Sequence, residues 1–222
     1  TLYDYDSHGF MDHMNDAEGS DTYLTPDAEH MYPASITNEL SQVTDYTYDY
    51  SSGKPLTVTD DNGLSQETVY DSLDRPITEK RSNADGTPGL TTTATWSYDT
   101  STVPNSVLET RYLDANTSVA TYTYLDGLAR PIQVRKETET AGTYAVNDTL
   151  YNAVGEVEAI SLSYHDSGTA WEVPTNSDLF ETYLYDALGR VLEVGNLLSI
   201  STSSYDQWTV TEHDANGSQK DY

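Results

Sequence analysis

The feature that most constrains this chain is a ten-residue phrase, YDALGRVLEV at 185–194, that returns in altered form along its whole length. Aligned on Gly189, YNAVGEVEAI (151–160) puts Gly155 in the same slot and LDGLARPIQV (125–134) puts Ala129 there. YDSLDRPITE (70–79) supplies Asp74, YDSHGFMDHM (5–14) Gly9 and HDANGSQKDY (213–222) Gly217. YDYSSGKPLT (48–57) fits with one extra residue before Gly53. A second, weaker phrase, TVTDDNG at 57–63, is echoed by TVTEHDANG at 209–217. Successive slots stand 44, 21, 55, 26, 34 and 28 residues apart. That spacing reads as a unit of about 20 residues with insertions placed in loops.

Each part of the phrase has a physical role. An alternating segment precedes the turn and ends in paired aromatics: Tyr3/Tyr5, Tyr46/Tyr48, Trp96/Tyr98, Tyr122/Tyr124 and Tyr183/Tyr185. Residues i and i+2 share a face of a strand, so the pairs predict a row of rings that can meet across strands. Asp caps the turn's N–H groups, and the slot residue takes positive φ. A basic residue and a short alternating strand follow. Pro55, Pro76 and Pro131 stand at the first strand positions, where a missing N–H is tolerated. The unit is a β-hairpin, and the expected fold is all-β: repeated hairpins in an antiparallel sheet, with little helix. A single helical turn is expected at 25–28, with Thr25 as N-cap and Pro26 next. The insertions at 82–89, 163–178 and 196–204 are expected as irregular loops.

Composition narrows the function. The 37 acidic residues against 10 Lys and Arg give a formal charge of −27. Nucleic-acid affinity rests on neutralised phosphates, so no nucleic-acid partner is expected. Anionic membrane surfaces are disfavoured for the same reason, and no 18-residue apolar run predicts a membrane helix. The acidity fits solubility or divalent-cation binding. The absence of cysteine excludes thiolate catalysis, disulfides and Cys-ligated zinc. Tyr outnumbers Phe 19 to 2, which suits rings whose tips stay wet. The start, TLYDYDSHGF, does not read as a signal peptide, and both ends are expected to be cuts inside a longer protein.

The chemistry-bearing patterns are sparse. Ser51-Ser52-Gly53-Lys54 matches a Ser-x-x-Lys nucleophile pattern but lies inside a repeat turn without partner motifs. Asp4, Asp6, Gly9 and Asp12 resemble the front of a calcium loop, yet position twelve is Asn15 rather than Glu. The repeat turn already accounts for Asp6 and Gly9, and Asp60-Asp61-Asn62 and Asp214-Ala215-Asn216 are open to the same two readings, turn or cation loop. His8, His13 and His30 are expected to be exposed, since zinc needs converging ligands and this spacing does not guarantee convergence. The tyrosine rows are expected to pack the sheet rather than stack on sugars. Asn116, Asn147 and Asn216 begin glycosylation sequons. No catalytic, cofactor-binding or metal residue is assigned, Ca²⁺ being the one cofactor considered, and no enzyme activity is expected.

With its Tyr-Asp-x-x-Gly-Arg core and period near 20, the chain resembles the RHS or YD repeat family from Tyr5 to Tyr222, most clearly at 48–80 and 122–194. Residues 125–164 look most like the SpvB-like and insecticidal toxin-complex B-type subgroup. The resemblance implies hairpins joined edge to edge in a curved sheet that spirals into a hollow shell around a C-terminal polypeptide, often a toxin. It implies one repeat segment over 1–222, divergent and carrying an insertion at 1–45 and clearer at 46–222. It also implies a bacterial, secreted or cell-surface parent whose further repeats and cargo are the partners. Independently, open sheet edges invite pairing, so the free segment is expected to associate edge to edge. A shell-closing region, an Asp-Pro self-cleavage segment and a toxin domain are not found, so the expected role is a wall segment without chemistry. The alternative is an adhesion module for glycans or a protein receptor.

Overall fold

The computed structural model describes residues 1–83, 85–175 and 180–222. Ala84 in the 82–89 loop and residues 176–178 of the 163–178 insertion lie outside the described residues, as does Leu179. The fold is all-β: twenty antiparallel strands in one open sheet, with no helix among the described residues. Two compact units divide the chain, residues 1–96 with 110–118 and residues 97–109 with 119–222.

The first unit is a meander in which each strand pairs with the next. It runs through β1 (Leu2–Tyr5), β2 (Met11–Asn15), β3 (Asp21–Pro26), β4 (Pro33–Thr37) and β5 (Val43–Asp49). It continues through β6 (Lys54–Thr59), β7 (Ser65–Tyr70) and β8 (Pro76–Ser82) to β9 (Leu90–Asp99). Among the described residues of this unit, Ala94 alone is buried. The sheet here is one layer, without the second layer around which domains usually form a core.

One turn design joins these strands. The Asp6 N–H donates to the Phe10 carbonyl and the Gly9 N–H to the Asp6 carbonyl, while Asp6 Oδ1 accepts the N–H groups of His8 and Phe10. Turns at Asp16, Asn38, Asp60 and Asp71 repeat this pattern, and the turn at Asp27 is one residue longer on its closing bond. The residue three places after the cap, or four after Asp49, has positive φ, which fits a type I turn followed by a left-handed residue. In the first unit those residues are Gly9, Gly19, His30, Ser41, Gly53, Gly63 and Asp74. Their steps are 10, 11, 11, 12, 10 and 11 residues, so the period is one strand and one turn, half of the unit read from the sequence.

The second unit contains β12 (Pro131–Glu137), β13 (Thr143–Tyr151), β14 (Val157–Ser161), β15 (Tyr164–Ser167) and β16 (Phe180–Tyr185). It ends in β17 (Val191–Gly195), β18 (Ile200–Asp206), β19 (Thr209–His213) and β20 (Gln219–Asp221). β10 (Asn105–Tyr112) and β11 (Ser118–Leu125) complete the set, and β11 pairs with β12. β13 forks the ladder: Thr143–Val146 pairs with β15, while Thr149–Tyr151 pairs with β14, which pairs onward with β16. From β16 to β20 neighbours pair again in sequence. Here there is a core, with Tyr124, Tyr144, Val146, Ala159 and Phe180 buried.

Three local expectations change. Thr25 and Pro26 close β3, paired with Ser35 and Pro33, instead of starting a helical turn. The reason is Asp27, whose side chain caps the N–H groups of Glu29 and Met31 in a hairpin turn. The 196–204 insertion is a short turn, Asn196 to Ser199, followed by the start of β18. Within 163–178, residues 164–167 form β15. Pro55, Pro76 and Pro131 do stand at the first two strand positions, each opposite the residue where the register shifts.

Candidate functional site

Successive strands reverse direction, so within each unit every second turn lies on the same edge of the sheet. The repeated phrase uses this. In four turns a basic side chain follows the slot: Arg75, Arg130 and Arg190 four residues after the cap, Lys54 five residues after Asp49. Arg130 holds its own Asp126 through Nε and NH2, at 2.8 and 2.7 Å from Oδ2. It then reaches the next turn on that edge, where NH1 donates to the Gly155 carbonyl at 2.9 Å. Its guanidinium lies 3.9 Å from the ring centroid of Tyr151, which precedes that turn. Tyr151 returns the contact, its hydroxyl donating to the Pro131 carbonyl at 3.1 Å.

The same exchange recurs. Lys54 donates to the Asp74 carbonyl and lies 5.0 Å from the Tyr70 ring, while Tyr70 donates to Pro55 O. Arg190 lies 4.2 Å from the Tyr205 ring, and Tyr205 donates to Val191 O. Tyr185 donates to Val157 O at 2.8 Å. At the Lys54, Arg130 and Arg190 turns the phrase is thus a clasp: Asp and the slot residue make the turn, the basic side chain reaches forward, and the Tyr of the next turn on that edge reaches back. Glycine in the slot gives the incoming side chain room. A Cβ on Gly155 would lie 3.1 Å from Arg130 NH1, and one on Gly53 would lie 2.7 Å from the Tyr32 hydroxyl. Backbone donation from Arg130 and Arg190 holds the Asp126 and Asp186 carboxyls below the ordinary carboxylate range, and the arginine side chains add to this.

A second assembly lies in the second unit, where 164–167 pairs with β13 and backbone at 168 and 172 bonds side chains of β12. Gln133, Arg135 and Asp148 are fully buried. Gln133 Nε2 donates to Asp148 Oδ1 at 2.7 Å and to Glu172 O at 3.0 Å, and its Oε1 accepts the Glu172 N–H. Arg135 donates to Gln133 Oε1 at 2.8 Å, Asp166 Oδ2 at 3.0 Å and Gly168 O at 3.3 Å. The Tyr164 hydroxyl donates to Asp148 Oδ2 at 2.8 Å. Burial, then that bond, pushes the Tyr164 phenol up to about 12, so it is no base at neutral pH. A cavity of about 400 Å³ opens beside the network, lined in part by Asp148, Tyr164, Asp166 and Phe180. The network fastens the insertion to the sheet. These side chains bond one another and backbone, which is the arrangement of a staple.

No family model and no curated protein matches the chain. Solved structures do. In fold, the chain is similar to TcdB2-TccC3. The likeness covers 97% of this chain and 14% of that one, with a TM-score of 0.79 at 16% identity. TcdB2-TccC3-TEV matches over 97% of this chain and 16% of its own, at TM-score 0.79 and 15% identity. The Photorhabdus luminescens Tc holotoxin pore, carrying a TccC3 mutation, matches over 88% and 14%, at TM-score 0.72 and 14% identity. The chain therefore spans about one seventh of the length of these neighbours. At such identities the likeness establishes the fold.

The residues singled out from sequence are placed as follows. Ser51 Oγ donates to Asp49, while Lys54 is engaged in its clasp, so the two do not form a nucleophile and base. Asp4 and Asp12 lie in β1 and β2 of a hairpin, which replaces the calcium-type loop. Asp60 and Asp214 cap their turns, and Asp61 accepts the Val43 N–H. Asn147 donates to Ser161 O, and Asn116 and Asn216 donate their N–H to turn aspartates. The aromatic row is partly realised: Tyr46 and Tyr48 stack, Tyr32 stacks on Tyr48 at 4.7 Å and Tyr122 meets Tyr144 edge-on at 6.0 Å.

The histidines differ most from expectation. His13 is three-quarters covered, bonded by Nδ1 to Asp4 and by Nε2 to Asp21, and stacked on Tyr23. His8 is exposed as expected, but His30 is half-buried, and the two rings lie 3.9 Å apart beside Asp6. Residues 8 and 30 meet because their turns are neighbours on one edge, a relation that strand period rather than local spacing sets. The buried network escaped notice because Gln133, Arg135 and Asp148 sit in alternating strands, where polar residues read as solvent-facing.

Proposed function

We propose that this chain is a stretch of wall in an RHS-type shell, in which a spiralling sheet encloses a cargo or toxin polypeptide inside a longer protein. In this reading all of 1–222 is repeat wall, 1–45 its divergent part and 46–222 its clearer part. The protein is bacterial and secreted or on the cell surface, and this stretch confines its cargo without making or breaking bonds.

The observation that carries the reading is the single-layer first unit. Eight strands and most of a ninth bury one residue, Ala94, among the described positions, while clasps between turns keep the ladder in register. Such a sheet is stiff along its edge yet has no core of its own, as suits a wall with solvent on one side and a cargo on the other. The likeness of fold to the TcdB2-TccC3 structures supports the same reading. The adhesion alternative is less well supported, because Tyr70, Tyr151, Tyr185 and Tyr205 spend their hydroxyls on backbone carbonyls.

The partners in this reading are further strands of the same long chain, placed against the outer strands β1 and β20, whose residues are all exposed. Open strand edges pair readily, so the free 222-residue chain associates edge to edge once salt screens its charge. Sedimentation at high concentration and salt checks this, and a clean monomer counts against it. The decisive experiment is electron microscopy of the full-length protein. A hollow particle with these strands in its wall supports the proposal, and a solid one overturns it.

A further inference from the structure

We infer that Asp6, His8 and His30 form a binding site for one divalent transition-metal ion of the zinc type. One ligand atom from each of the three lies within 4.8 Å of the other two. His30 Nδ1 is 2.9 Å and His8 Nδ1 3.7 Å from the same atom, Asp6 Oδ2. Zinc takes His nitrogen and carboxylate oxygen at about 2.0–2.2 Å in tetrahedral geometry, so ligands on one ion stand about 3.4 Å apart. The exposed His8 ring, the farther of the two from Asp6 Oδ2, has room to turn toward it.

The carboxylate is already aimed. Asp6 Oδ1 is held by the N–H groups of His8 and Phe10 at 2.8 and 2.9 Å, which leaves Oδ2 facing the two imidazoles. Outer bonds of this kind orient metal ligands. Asp71, Asp126 and Asp186 occupy the same cap position in their turns, and there Oδ2 receives the guanidinium of Arg75, Arg130 or Arg190. In the first turn the residue at the arginine position is Phe10, and the cation's place beside Oδ2 is lined by imidazoles instead. His30 holds its place by the turn itself: it is the slot residue of the neighbouring turn, at φ 53°. His8 is 60% exposed, which leaves the ion a path in and a coordination position for water.

The choice of imidazole and one carboxylate favours zinc-like ions over Ca²⁺, which takes six or more oxygens. The test uses Co²⁺ as a spectroscopic probe on the 222-residue chain, with Zn²⁺ and Ca²⁺ as competitors. The expected result is one Co²⁺ per chain with imidazole ligand-field bands, displaced by Zn²⁺ and retained in excess Ca²⁺. His8→Ala and His30→Gly each weaken binding by about tenfold or more, while His13→Ala leaves it unchanged. Glycine suits the positive φ at position 30, and circular dichroism confirms that the turn survives. Absence of saturable one-to-one binding overturns the inference, as does binding that survives both variants or yields to Ca²⁺.

Discussion

Replacing Arg135 by Met tests whether the buried network is what holds residues 164–172 against the sheet. Methionine keeps most of the side-chain length and removes every donor. Three charge-assisted bonds go, to Gln133, Asp166 and Gly168, each contributing about 1.5–3 kcal/mol. Two terms offset the loss. Arg135 NH2 is buried without a partner, a burden of about 1–3 kcal/mol that the variant sheds. Asp166 keeps 31% of its side chain in solvent, so its charge is not stranded. The net expectation is a loss of at least about 2 kcal/mol, a fall in melting temperature of at least about 4 °C. Hydrogen exchange reports where it falls: amides of 164–172 lose protection first, while β5 to β8 in the first unit keep theirs. A change in melting of under about 2 °C refutes the reasoning, and so does uniform loss of protection along the chain.

Ala129 holds a left-handed slot at φ 60°, which costs a side chain about 1–2 kcal/mol against the entropy penalty of glycine, about 0.5–1 kcal/mol. Ala129→Gly therefore stabilises by about 0.5–1 kcal/mol in denaturant titration. Gly189→Ala does the reverse and more, because its Cβ would lie 3.0 Å from Glu156 Oε1; an unchanged midpoint contradicts the clasp geometry. His13 gives a pH signature: its bonds to Asp4 and then Asp21 raise its pKa above the ordinary value. A raised histidine stabilises fully below its unfolded pKa of about 6.5 and loses that contribution as pH rises through the folded value. Melting curves of the wild type and His13→Gln are expected to differ at pH 5.5 and converge at alkaline pH, and a constant gap refutes the assignment.

The sequence was most legible where one residue type does one job. All seven slots aligned on YDALGRVLEV have positive φ, including Asp74 and Ala129, which have side chains. The caps Asp6, Asp71, Asp126 and Asp186 were readable for the same reason. The half-length period was hidden because the turns at Asp16, Asp27 and Asn38 carry neither the Tyr nor the Arg of the phrase. One edge of the first unit bears the clasps, while the turns at Asp16, Asn38 and Asp60 on its other edge need only a cap and a left-handed residue. Serine fills that slot at Ser41, whose N–H donates to the Asn38 carbonyl. The helical turn expected at 25–28 fell to competition: Thr25-Pro26 suits a helix start, but strand pairing with Ser35 and Pro33 and the Asp27 cap outweigh it. The staple around Arg135 depends on which loop lies above two strands, and no local pattern encodes that.

The clasp also governs how such a molecule is lengthened. Arg130 binds Gly155 and Tyr151, and Arg190 meets Tyr205; neither reaches beyond its neighbouring turn on the edge. Interactions limited to adjacent units make stability close to a sum of unit and interface terms. A duplicated pair of strands that carries the clasp's Tyr, Asp and Arg then meets ready partners where it joins other clasp-bearing turns. There, gene duplication can lengthen the ladder without compensating substitution elsewhere.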